Sequence, residues 1–86
     1  AAHSQKFADH LFRSKEFLRA SIEYERTCFL DSLNWSAHLK LIESYRKSGQ
    51  SQKGIDHWNN IVFKLPPEMF ANFEHQKNIC FFEEKP

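Results

Sequence analysis

The chain says the same thing twice at an interval of 34 residues. Sliding Leu11–Thr27 onto Tyr45–Ile61 pairs Leu11 with Tyr45, Ala20 with Gly54, Tyr24 with Trp58 and Thr27 with Ile61. Bulky residues fall on bulky ones and the smallest on the smallest. A repeat that preserves packing volumes in this way while its surface drifts is one structural unit used twice. Its period is that of helix–turn–helix units, which bury their apolar faces by stacking on one another. Such arrays make binding surfaces more readily than reaction centres. An all-α architecture of helical hairpins is therefore expected.

Length and breakers agree with that reading. A chain of 86 residues holds one domain, at a size where a single core is marginal. Nine Phe, two Trp and two Tyr compensate with large buried area per residue. Two Gly and three Pro leave little for strands joined by tight turns. A net charge of +1 gives no electrostatic footprint for nucleic acid or an anionic membrane. No apolar run approaches the roughly 20 residues of a membrane span, so membrane insertion is not expected. Opposite charges four apart (Asp9 with Arg13, Arg19 with Glu23, Glu43 with Lys47) suit solvated helix faces. Cys28 and Cys80 follow neither metal spacing nor a redox motif and are expected as free thiols.

The apolar periodicity places five helices. Ser4–Arg13 carries Phe7, Ala8, Leu11 and Phe12 on one face, and Ser14-Lys15-Glu16 breaks the pattern. From Phe17 the set Phe17, Ala20, Tyr24, Thr27 and Cys28 recurs at three and four. Asn34 is a good N-cap for a third helix holding Ala37, Leu41, Ile42 and Tyr45, which Gly49 ends in a left-handed conformation. A fourth helix, about Ser51–Lys64, turns Ile55, Trp58, Ile61, Val62 and Leu65 inward before Pro66-Pro67. Pro67 then opens a fifth, with Met69, Phe73 and Cys80 on one face. Short connectors make successive helices antiparallel. Repeat one spans about residues 2–34, repeat two about 35–67 and the terminal helix about 68–84, as one domain.

These residues resemble the tetratricopeptide repeat family. Ala8, Leu11, Ala20, Tyr24 and Thr27 match its pattern in the first repeat, with Ser32 where a Pro is usual. Tyr45, Gly49, Gly54, Trp58 and Pro66 match in the second, while Ile42 and Ile61 stand where the family has a small residue and an Ala. The resemblance implies a right-handed solenoid of two hairpins plus a capping or partial-repeat helix. It also implies a protein–protein interaction scaffold, non-enzymatic and without cofactor or metal, whose concave groove receives a peptide or partner helix. Helical phase assigns that groove Gln5, Asp9, Phe12 and Arg13 from the first helix, then Leu39, Glu43 and Arg46 from the third. Some relatives clamp a C-terminal carboxylate with Lys and Asn. Here Gln5 and Asp9 replace them, with Phe70 and Glu74 at the basic positions, and acids repel a carboxylate.

Two further likenesses bear on partners. Leu41-Ile-Glu-Ser-Tyr-Arg-Lys-Ser-Gly49 resembles a pentatricopeptide repeat, which implies RNA binding as the alternative function. Its base-reading position, however, holds Leu39, which offers no hydrogen bond to a base edge. The first repeat, through Phe17, Arg19-Ala20 and Glu23-Tyr-Glu-Arg26, is similar to repeats common in bacterial cell-envelope proteins. That implies the envelope or periplasm, with the cytoplasm left open.

No constellation for catalysis emerges. His3 and His10 are seven apart rather than the four that suits a helical metal pair. Asp56 and His57 are adjacent and point to different sides of a helix, and Cys28 reads as a small buried hydrophobe. No strand–turn–helix surrounds a Ser, and two glycines make no phosphate loop. A purely structural or oligomerisation module is the remaining alternative. Phe81-Phe82 would serve it, because at most one side of that pair can be buried and the other invites a second subunit or repeat.

Overall fold

The computed structural model describes residues 2–84, with side chains for 5–82. Five α-helices run in chain order: α1 (Ala2–Arg13), α2 (Phe17–Leu30), α3 (Trp35–Lys47), α4 (Ser51–Ile61) and α5 (Phe70–Glu84). Single 3-10 turns at Val62–Lys64 and Pro67–Met69 flank Pro66 and carry α4 into α5. No strand occurs among the described residues. Each helix packs on its neighbour in sequence, and α5 also reaches α3. The radius of gyration, 12.0 Å, is that of a closed globule of this length.

Local chemistry explains where the helices stop. Asn34 caps α3 by accepting from the Ala37 amide at 3.2 Å. Gly49 takes φ +79° and closes α3 with bonds from its own N–H to the Arg46 carbonyl and from Gln50 N–H to the Tyr45 carbonyl. The turn between α1 and α2 has the same two bonds 34 residues earlier, Lys15 N–H to Phe12 O and Glu16 N–H to Leu11 O. The left-handed residue there is Lys15, at φ 64°. A side chain makes this conformation cost about 1–2 kcal/mol where glycine adopts it freely. The repeat thus extends to the hydrogen bonds of its turns.

Two apolar clusters form the interior. The first joins α1, α2 and α3 through Ala8, Leu11, Ala20, Tyr24, Cys28, Ala37, Leu41 and Tyr45. The second joins α3, α4 and α5 through Ile42, Trp58, Ile61, Leu65, Phe73 and Cys80. Two buried tyrosines stitch the first cluster: Tyr24 donates its hydroxyl to the Asp9 carboxylate and Tyr45 to Glu25. Burial first, and then the carboxylate partner, push both phenols well above their ordinary pKa. The second cluster relies on close approach instead. A Cβ built on Gly54 would lie 3.0 Å from Cys80 Sγ and 3.6 Å from Ile42 Cγ2. Contact with the preceding helix at Gly54 is thus present, and α5 presses on it harder still.

Some sequence expectations shift. Phe7 was expected on the inward stripe and is 44% exposed, because α1 lies at the end of the array with only α2 and the near side of α3 to pack on. Arg19 pairs with Glu16 at 2.9 Å rather than with Glu23, which instead meets Arg26 at 3.5 Å. The Arg19–Glu16 pair is solvated on both sides and contributes little, while Glu23 of the other is half-buried. Cys28 and Cys80 are not joined in a disulfide and are buried in different clusters. No helix among the described residues is long and apolar enough to cross a membrane.

Candidate functional site

A groove of about 290 Å³ opens between α1 and α3, lined by Asp9, Phe12, Arg13, Tyr24, Ser36 and Lys40. Its walls are set by helix spacing. Phe12 and Arg13 lie three and four residues after Asp9 and so flank one side of α1 with it, as Ser36 and Lys40, four apart, share a face of α3. At one end Asn34 Nδ2 donates to Gln5 Oε1 at 2.7 Å, which ties the start of α1 to the cap of α3. The same Asn34 side chain therefore caps one helix and positions another.

The floor is aromatic and the rim is charged. Phe12 is half-buried, edge-on to Phe17 with ring centroids 5.2 Å apart and to Tyr24 at 6.4 Å. The Lys40 ammonium lies 4.4 Å from the centre of the Phe12 ring, and that of Lys47 lies 5.9 Å from it. The ring's negative face attracts both amines, which remain close enough to meet an anionic group of a ligand. Asp9 accepts from Tyr24, and the charges of Asp9 and Glu43 help raise the Tyr24 phenol while Arg13 opposes them. The groove thus combines one aromatic anchor with charges of both signs at fixed positions.

Of the residues that sequence phase assigns to the groove, Asp9, Phe12 and Arg13 come together there. Gln5 closes one end, and Glu43 bears electrostatically on Tyr24. Leu39 is half-buried against the second cluster, on another side of α3, and Arg46 is half-buried without lining the groove. Ser36 and Lys40 take the places on α3. One residue is about 100° of helix rotation, and α3 is the helix with cores on two sides, so Leu39 is drawn to the second. The amphipathic cation Lys40 beside an apolar run is the signal that locates the groove face. A shallower hollow of about 390 Å³ lies at the turns, lined by Lys15, Glu16, Phe17, Leu18, Arg19, Lys47 and Ser48. The side chain of His3 lies outside the described residues, so its relation to His10 is not part of the site.

No protein-family model, curated protein or solved structure matches the chain.

Proposed function

We infer that the chain is a helical-repeat interaction module of tetratricopeptide type, which receives an extended or helical segment of a partner protein in the groove between α1 and α3. The observation that carries this reading is the half-buried Phe12 ring, bracketed by the Lys40 and Lys47 ammonium groups over a floor that includes Tyr24. A partner side chain of apolar character would lie on Phe12, with an adjacent carboxylate or carbonyl taken by Lys40 and Arg13. Groove recognition concentrates its energy in a few such central anchors. The 34-residue repetition of turn bonds and buried positions supports a right-handed solenoid, with α5 as the cap or the first half of another unit. No catalytic role is part of this reading.

The experiment is a peptide-display selection on the intact chain, followed by titration of the selected peptide against variants. Phe12→Ala and Lys40→Ala should each weaken binding at least about tenfold, the size of a modest anchor of about 1.4 kcal/mol. Leu39→Ala should lower the thermal midpoint through the second core and leave the affinity of the folded fraction nearly unchanged. Selected binders that are indifferent to Phe12 and Lys40 would overturn the assignment. A second reading has its own observation, since Phe81 is 51% and Phe82 79% exposed at the far end of the array. Such a pair suits stacking of a second copy or a further repeat. A mass that doubles with concentration and reverts in Phe82→Ser would favour it.

A further inference from the structure

Cys28, His38 and His57 come from three different helices, and their potential ligand atoms all lie within 4.8 Å of one another. Cys28 and His38 are buried and His57 is half-buried. His38 Nε2 lies 2.8 Å from the Ser32 carbonyl oxygen, which has only lone pairs to offer, so Nε2 carries the hydrogen and donates it. That leaves the His38 Nδ1 lone pair aimed inward, 2.8 Å from His57 Nε2. Fixing an imidazole through a backbone carbonyl on its far nitrogen is how proteins orient a metal-ligating histidine.

We propose that Cys28 Sγ, His38 Nδ1 and His57 Nε2 form a binding site for Zn²⁺, with water as fourth ligand on the open side of His57. It shares no residue with the groove and goes beyond the interaction reading. Thiolate with two imidazoles is a donor set for zinc. Zinc bond lengths of about 2.0–2.1 Å to nitrogen and 2.3 Å to sulfur imply tetrahedral N···N and N···S separations of about 3.3 and 3.6 Å. The two histidines must therefore part by about half an ångström and the sulfur close in by no more than about 1 Å. His57, the half-buried member, has the room to make that adjustment.

Binding balances with the loss of one proton. The Cys28 thiol gives its hydrogen to solvent, and His57 moves its own from Nε2 to Nδ1 so that Nε2 can ligate. Without metal the three groups are held neutral. Burial, with Asp31 and Glu25 nearby, pushes the thiol up to about 12, and burial followed by the neighbouring His38 pushes His57 down to about 4. The two carboxylates that disfavour a lone thiolate would offset the net positive charge of a zinc–thiolate centre.

The test is titration of chelator-treated, reduced intact chain with Co²⁺ and then Zn²⁺. Expected are one equivalent of cobalt, a near-ultraviolet thiolate-to-cobalt charge-transfer band, its displacement by zinc, and a higher thermal midpoint in the zinc form. Cys28→Ser should abolish the band, and His57→Gln should weaken binding at least about 100-fold, with metal-free midpoints of both variants showing that they fold. If Cys28→Ser does not fold, His57→Gln decides the matter alone. Absence of the band in the parent chain, or an unchanged affinity in His57→Gln, overturns the site.

Discussion

The two hairpins solve one packing problem with different residues. In the first, Ala8 and Ala20 are both small and both fully buried, and the Tyr24 hydroxyl donates to the Asp9 carboxylate of α1, while Tyr45 of α3 makes a like bond to Glu25 between the hairpins. In the second, Ile42 is large and Gly54 absorbs the difference, with Trp58 and Ile61 in place of Tyr24 and Thr27. The turns divide the other way, with an ordinary residue left-handed at Lys15 and a glycine at Gly49. What repeats is therefore the path of the backbone and a very small residue at the helix contact, Ala20 or Gly54. Within the first hairpin a tyrosine–carboxylate bond joins the two helices, whereas the second combines a His38–His57 bond with close approach of its helices at Gly54.

That contrast can be broken most sharply at the small residues. Ala20→Leu and Gly54→Leu should each overpack a closed contact and destabilise by about 1–3 kcal/mol or more. Gly54→Leu should be the worse, because Cys80 and Ile42 already border the site; denaturant midpoints measure both. Next come the tyrosines. Tyr24→Phe should cost about 0.5–1.5 kcal/mol by removing the donor to Asp9, whereas Trp58→Phe should lose through volume alone. Calorimetry on the two, with Asp9→Asn as the partner change, separates bond from bulk. At Gly54→Ala the gain in helix propensity of about 1 kcal/mol meets a sulfur that must shift. A double-mutant cycle with Cys80→Ala should show coupling, with the added methyl tolerated better once the sulfur is gone. The smallest effects belong to the turns: Lys15→Gly should stabilise by up to about 1 kcal/mol and Gly49→Ala should destabilise by a similar amount. A Lys15→Gly change that destabilises, or a Gly49→Ala change without cost, would mean that the two turns are less alike than their hydrogen bonds.

Much of the fold was legible where chemistry is local. Asn34 as a cap, Gly49 as a left-handed stop and Pro66-Pro67 as a break each act within a few residues, and each lies where the pattern puts it. The Lys15 turn was not legible as a left-handed position, because nothing in a lysine side chain favours that conformation. The α1 half of the groove followed from spacing, since α1 has a single core to face. On α3 the phase was ambiguous between two cores, and burial of Leu39 settled the rotation in favour of Ser36 and Lys40 at the groove. The grouping of Cys28, His38 and His57 was invisible for another reason: three helices must pack before those side chains meet.

Each core also holds one thiol, and that gives the molecule two built-in clocks. Cys28 is 7% exposed between α2 and its neighbours, and Cys80 is fully covered where α5 lies over Gly54. A thiol reagent cannot reach either sulfur until a helix lifts, so each modification rate counts the opening events of its own region. If α5 detaches alone, Cys80 reacts while Cys28 stays silent. If the chain opens only as a whole, the two rates rise and fall together with denaturant, and the division into two cores is one of architecture rather than of motion.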